Sequence, residues 1–164
     1  MKKQLYLIRH AKSSWSSLDL KDIKRPLNER GKRDAPLMGG LLKARGIAPD
    51  AIISSPAIRA ITTARVIGDV LEIKESAIYQ EAKIYEATVS EMLEVIGSIP
   101  DDFDSVLMFG HNPAFTYLAN YFGQRLDNLP TCGIISLETT AKSWADVTEH
   151  NTEVIRVDYP KMHF

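Results

Sequence analysis

Apolar residues in this chain fall into short runs of two kinds, separated by polar turns. Leu5 to Ile8, Ala51 to Ile53 and Val106 to Phe109 are continuous and rich in strand formers, which is the pattern of strands buried on both faces. Ala77 to Tyr79, Gly133 to Leu137 and Glu153 to Val157 predict three further strands, the last two joined by a hairpin loop around Lys142 to Asp146. The other runs recur at helical spacing. A helix is predicted from about Asn28, with Ala35, Met38 and Leu41 or Leu42 on one face, Arg45 continuing it and Gly46 as its stop; Pro36 and Gly39-Gly40 should weaken or bend it. Ser55-Pro56 supplies a cap and a first-turn proline for a helix carrying Ile58, Ile61, Ala64, Gly68 and Leu71. Thr88 and Glu91 form a capping box ahead of Val89, Met92, Leu93 and Ile96, and Asn112-Pro113 opens a helix with Phe115, Leu118, Ala119 and Phe122. Alternation of this kind predicts an α/β three-layer sandwich, a mostly parallel central sheet flanked by helices, with residues 1–164 as a single domain.

Open α/β sheets bind ligands beyond the carboxyl ends of their strands. Three of the strands end in polar signatures, Arg9-His10, Ser54-Ser55 and Gly110-His111, and Arg59 falls on the first turn of the helix that follows the second. If the strands are parallel neighbours, one crevice gathers two arginines and two histidines. Guanidinium forks and helix N-termini suit a phosphate or similar oxyanion. A neutral imidazole beside them is a competent nucleophile, and the guanidinium charges help to keep it neutral. The pattern points to phosphoryl transfer through a histidine, with no metal and no cofactor required. Arg65 shares the helical setting of Arg59, and only the Ser-Pro-x-x-Arg spacing separates them.

Composition narrows the partners. The chain has 164 residues, 45% hydrophobic and 25% charged, and a formal net charge of −1, so no global field draws it to nucleic acid or anionic lipid. No run approaches the ~20 apolar residues of a membrane span. A single cysteine, Cys132, and an N-terminus without an extended apolar segment ahead of Arg9-His10 make a soluble cytoplasmic protein the default. Oligomeric state has no signature here.

Four blocks in order carry a family resemblance: Leu7-Ile8-Arg9-His10, Arg25-Pro26-Leu27-Asn28-Glu29-Arg30-Gly31, Ser54-Ser55-Pro56-Ala57-Ile58-Arg59-Ala60 and Phe109-Gly110-His111-Asn112-Pro113. The chain resembles the histidine phosphatase superfamily (phosphoglycerate mutase-like), and within it the short SixA-type phosphohistidine phosphatases. The resemblance implies that His10 is the phosphorylated nucleophile, that Arg9 and Arg59 bind the phosphoryl group, and that His111 completes the pocket. Ala11 stands where the superfamily usually has glycine, and its methyl should narrow the pocket slightly. The resemblance also implies an acid for the leaving group in the loop after the third strand. Glu86 in Tyr85-Glu86-Ala87 is the first choice, Glu81 the second, and Asp22 of the polar Ser13–Pro26 loop the third. Lys12 either contacts substrate or forms a salt bridge. Trp15 and Leu18 should anchor the loop, Tyr85 likewise, and His150 and His163 should be solvated. The implied activity is a metal-independent phosphatase acting on phosphohistidine of a signalling protein. A small phosphate ester, of a sugar or nucleotide, is the alternative substrate, and a non-catalytic phosphoprotein-binding module the alternative role.

Overall fold

The computed structural model describes residues 2–17 and 19–164, so Leu18, the second loop anchor of the sequence reading, lies outside the described residues. Six strands form one sheet: β1 (Lys3–Arg9), β2 (Ala51–Ser54), β3 (Ile78–Gln80), β4 (Ser105–Gly110), β5 (Ile134–Thr139) and β6 (Thr152–Asp158), in the order β3-β2-β4-β1-β5-β6. The first four are parallel; β5 runs antiparallel to β1, and β6 to β5. Central β1 and β4 read as unbroken apolar runs because they are covered on both faces. Leu5, Leu7, Val106 and Met108 point into one hydrophobic layer with α3 (Val89–Gly97) and α4 (Ala114–Tyr121). Tyr6, Ile8, Leu107 and Phe109 point into the other, with α1 (Glu29–Ala44) and α2 (Ile58–Val70). The three-layer α/β sandwich of the sequence reading is therefore present, its sheet mixed rather than wholly parallel.

Several local expectations change. Helix α1 runs unbroken through Pro36, whose ring lies on the exposed face. Gly39 is no weak point, because a Cβ there would lie 3.1 Å from Val70, and its absence lets α1 and α2 approach closely. Ser55 does not cap α2, which begins at Ile58 with Ala57 as its cap residue; the Ser55 hydroxyl instead accepts from the Ala57 N–H at 3.2 Å. Ile58 is 42% exposed rather than part of the core face. The Thr88–Glu91 capping box is formed as read. The β5–β6 connection does more than turn, since Trp144 is buried in the core with its indole N–H donating to the Phe103 carbonyl at 2.8 Å. His163 is exposed, as expected, and also has a protein partner. It lies in the short α5 (Pro160–His163), and its Nε2 bonds Asp158 at 2.8 Å. Among the described residues no helix is long and apolar enough to cross a membrane.

Candidate active site

Strand order decides what meets at the carboxyl edge of the sheet. β4 lies between β1 and β2, with Arg9 opposite Gly110 and Ser54 opposite Phe109, so the three polar strand ends are adjacent. The first residues beyond them stay in register: the His10 N–H donates to the Gly110 carbonyl at 3.1 Å, and the Ser55 N–H to the Phe109 carbonyl at 3.0 Å. Gly110 lets Phe115 and Ile84 pack directly under this strand end, because a Cβ would come 2.6 Å from Phe115 and 2.8 Å from Ile84. A cleft of about 260 Å³ opens there, lined among others by Arg9, His10, Lys12, Asp22, Arg59 and His111. The same cleft includes Ser13, Trp15, Arg25, Asn112 and Thr131.

His10 is 6% exposed and held by its own turn. Its Nδ1 lies 2.7 Å from the Ala11 carbonyl oxygen, which can only accept, so Nδ1 carries the proton and Nε2 keeps its lone pair. Burial, with His111, Arg9 and Arg59 adding to it, depresses the imidazolium to a pKa of about 3. The ring is neutral at neutral pH. The Ala11 N–H donates to Thr63 Oγ1 at 3.0 Å, and the Thr63 hydroxyl donates to the Arg59 carbonyl at 2.7 Å, which ties this turn to the first turns of α2. The Ala11 methyl does not narrow the cleft: it is fully buried in the α1–α2 layer.

His111 lies 5.3 Å from His10, ring centre to ring centre, and its Nε2 bonds the buried Ser55 hydroxyl at 2.7 Å. Burial first, then Arg59, lowers its pKa to about 4. Arg9 is fixed by donating Nη1 to the Leu129 carbonyl at 2.9 Å, and Asn112 Nδ2 donates to the same carbonyl, also at 2.9 Å. Arg59 donates Nη1 to the Asp22 carbonyl at 2.7 Å and Nη2 to Asp22 Oδ2 at 3.0 Å. Arg25 donates Nη1 to Asp22 Oδ1 at 3.3 Å, bonds Ser13 Oγ, and stacks 3.3 Å above the Trp15 ring. Nε of Arg9, Arg25 and Arg59 and Nδ1 of His111 are buried without a protein partner. Orphaned buried nitrogens are costly, and an oxyanion seated among three guanidinium groups suits them.

The three acid candidates separate in space. Glu86 is exposed at a left-handed backbone position, φ 56°, and neither it nor Glu81 lines the cleft. Asp22 does, and it accepts from the Tyr85 hydroxyl at 2.6 Å. That hydrogen bond, followed by the one from Arg59, lowers its pKa, so its carboxylate is ionised at neutral pH. Tyr85, read from the sequence as a loop anchor, meets the His111 ring edge-on at 5.6 Å, and burial followed by the bond to Asp22 raises its phenol to about 12. Arg65 pairs with Glu75 on the surface. The sequence reading missed Arg25 as a member of the cleft, although Arg25 stands in the second matched block, and it missed Tyr85 as the residue behind the lining that touches both Asp22 and His111. Among the described residues, no group of three or more His, Cys, Asp or Glu side chains is placed to hold a metal ion.

Comparison with known proteins identifies the family and the fold. The family model described as histidine phosphatase superfamily (branch 1) matches residues 5–106. An uncharacterized protein of Mycobacterium tuberculosis is 35% identical over 151 residues, covering 85% of this chain and 91% of its own. A 2,3-bisphosphoglycerate-dependent phosphoglycerate mutase of Streptomyces avermitilis is 39% identical over 67 residues, 38% of this chain and 26% of its own. Among solved structures, a candidate phosphohistidine phosphatase SixA from Agrobacterium tumefaciens superposes with a TM-score of 0.80 at 26% identity, covering 96% of this chain and 98% of that one. The protein histidine phosphatase SixA complexed with tungstate superposes at 0.81, with 21% identity and coverage of 97% and 98%.

Proposed function

This chain belongs to the histidine phosphatase superfamily and is a phosphatase, and from that premise we propose that it removes the phosphoryl group from phosphohistidine on a cytoplasmic signalling protein. The observation that carries the substrate reading is the state of the one carboxylate among the residues lining the cleft. Asp22 is held ionised by Tyr85 and Arg59, which makes it a poor acid at neutral pH. An alkyl oxygen leaving group needs a proton as its bond to phosphorus breaks. An imidazole leaving group needs much less help, and its ring takes the proton from solvent. Glu86, exposed and off the cleft, is not assigned the acid role in this reading. Agreement with SixA-type structures supports the same substrate class.

In the proposed cycle, His10 Nε2 attacks phosphorus in line, the P–N bond to the substrate imidazole breaks, and the phosphoryl group rests on His10. Arg9, Arg59 and Arg25 hold its oxygens, with His111 beside them, as charge spreads over them in the transition state. Water then attacks the phosphohistidine, releasing inorganic phosphate and restoring the neutral ring. The test is a side-by-side assay of the full chain on a phosphohistidine protein and a panel of sugar, nucleotide and aryl phosphates, with acid quench during turnover. Hydrolysis of the phosphohistidine protein far ahead of the alkyl esters, with acid-labile phosphate trapped on His10 and absent in His10→Ala, is the expected result. Preferential turnover of an alkyl ester would overturn the substrate reading.

A further inference from the structure

Asp22 is more than a neighbour of the phosphate-binding arginines, because it holds the positions an oxyanion would take. Its carboxylate accepts from Arg59 Nη2, Arg25 Nη1 and the Tyr85 hydroxyl, and its main-chain carbonyl accepts from Arg59 Nη1. Two guanidinium groups and a phenol converging on one small anion is what a phosphoryl group asks of its receptor. The partners differ in freedom. The side chains of Arg25 and Arg59 are each 8% exposed, whereas that of Asp22 is 45% exposed. The cations belong to the wall, and the carboxylate approaches from the solvent side. It rides on a single 3-10 turn, Asp22–Lys24, whose cap residue Lys21 makes no side-chain capping bond.

We propose that Asp22 is a tethered competitor: its carboxylate occupies the Arg25–Arg59 clamp between turnovers and is exchanged for the phosphoryl group of the incoming substrate. The inference rests on the reading that this cleft receives a phosphoryl group, and it adds what governs admission. A ligand that must displace a resident anion binds more weakly by the fraction of time the clamp is free. A dianionic terminal phosphoryl group gains more from two guanidinium charges than the monoanionic carboxylate it replaces, so it wins the exchange. A phosphodiester or a carboxylate brings one charge and gains nothing over Asp22. The clamp is thereby selective for terminal phosphoryl groups, and after hydrolysis the returning carboxylate speeds the departure of inorganic phosphate. Tyr85 is the positioning residue, since its hydroxyl orients Asp22 toward the clamp and its ring rests against His111.

The experiment measures binding of inorganic phosphate and tungstate to the full chain by titration calorimetry, with wild type, Asp22→Asn, Asp22→Ser and Tyr85→Phe compared at one pH and ionic strength. Both Asp22 variants should bind each oxyanion about tenfold tighter, a change of ~1.4 kcal/mol. Product inhibition by phosphate should strengthen in step. Tyr85→Phe should shift affinity the same way by less, and should add nothing in the Asp22→Asn background. A merely structural Asp22 would leave oxyanion affinity unchanged, and an Asp22 that pre-orients Arg59 for phosphate would weaken it in both variants; either result overturns the proposal. Tighter oxyanion binding without phosphohistidine hydrolysis would sink the substrate reading and leave this one standing. Failure of the wild type and of both Asp22 variants to bind either oxyanion would sink both.

Discussion

At the scale of single residues, the nucleophile is prepared by a contact with its own chain. The Ala11 carbonyl accepts a hydrogen bond from His10 Nδ1–H, which keeps the proton on Nδ1 and leaves Nε2 as the reactive nitrogen, while burial keeps the ring from taking a second proton. Two consequences can be measured. The acid limb of kcat/KM should not lie at the ~6.5 of an ordinary histidine but below about pH 5, as reported by the free enzyme. Stability should also respond to acid. Folded pKa values of about 3 for His10 and about 4 for His111 lie below the unfolded value, so between pH ~4 and ~6.5 the unfolded chain binds more protons than the folded one. Stability therefore falls on acidification through that window, and urea midpoints followed against pH should show a shallower slope in His10→Asn.

At the scale of elements, the site is made by placing β4 between β1 and β2, and by a serine that does not cap a helix. Ser55 is fully buried, accepts from the Ala57 N–H, and shares its hydroxyl with His111 Nε2. Ser55→Ala should leave both ring nitrogens of His111 without partners. Unfolding free energy should drop by about 1–3 kcal/mol in a denaturant titration, and kcat should fall with it. The Ser-Pro signature looks like a helix start in the sequence because a cap is a local pattern, whereas a bond from residue 55 to residue 111 is made only when two strands pair. The same limit explains the rest. Arg9, His10, Arg59 and His111 were legible because each sits at or just beyond a strand end or on the turn that follows one. Asp22 was only the third choice for the acid and Tyr85 was read as a loop anchor, because their contact, 63 residues apart in the chain, joins segments whose course no periodicity encodes.

At the scale of the whole molecule, the edge strand β6 is tied to the helical layer by a three-residue polar cluster at its end. Asp158 at the end of β6 accepts from Arg45 Nη1 and Nη2 at 2.8 and 3.0 Å, which bridges the strand to the end of α1. His163 of α5 completes the cluster, bonding Asp158 Oδ1 at 2.8 Å. The Asp158 side chain is 4% exposed and that of Arg45 is 25%, so water screens the pair from one side only. The hydrogen bond from Arg45 leads in holding the Asp158 carboxyl below its usual pKa, against the opposing effect of burial. A depressed carboxylate stabilises the fold above its unfolded pKa of ~3.9, and that contribution disappears as pH falls through the folded value. Asp158→Ala strands Arg45 and His163 together. It should cost about 3 kcal/mol, the low end for breaking a buried pair because one partner is partly wet. None of the three residues lines the cleft, so kcat/KM per folded molecule should stay at the wild-type value while the urea midpoint drops. If activity fell in proportion beyond the loss of folded protein, the cluster would be coupled to the cleft through β5, whose first residue Ile134 pairs with Ile8 on one side and Asp158 on the other.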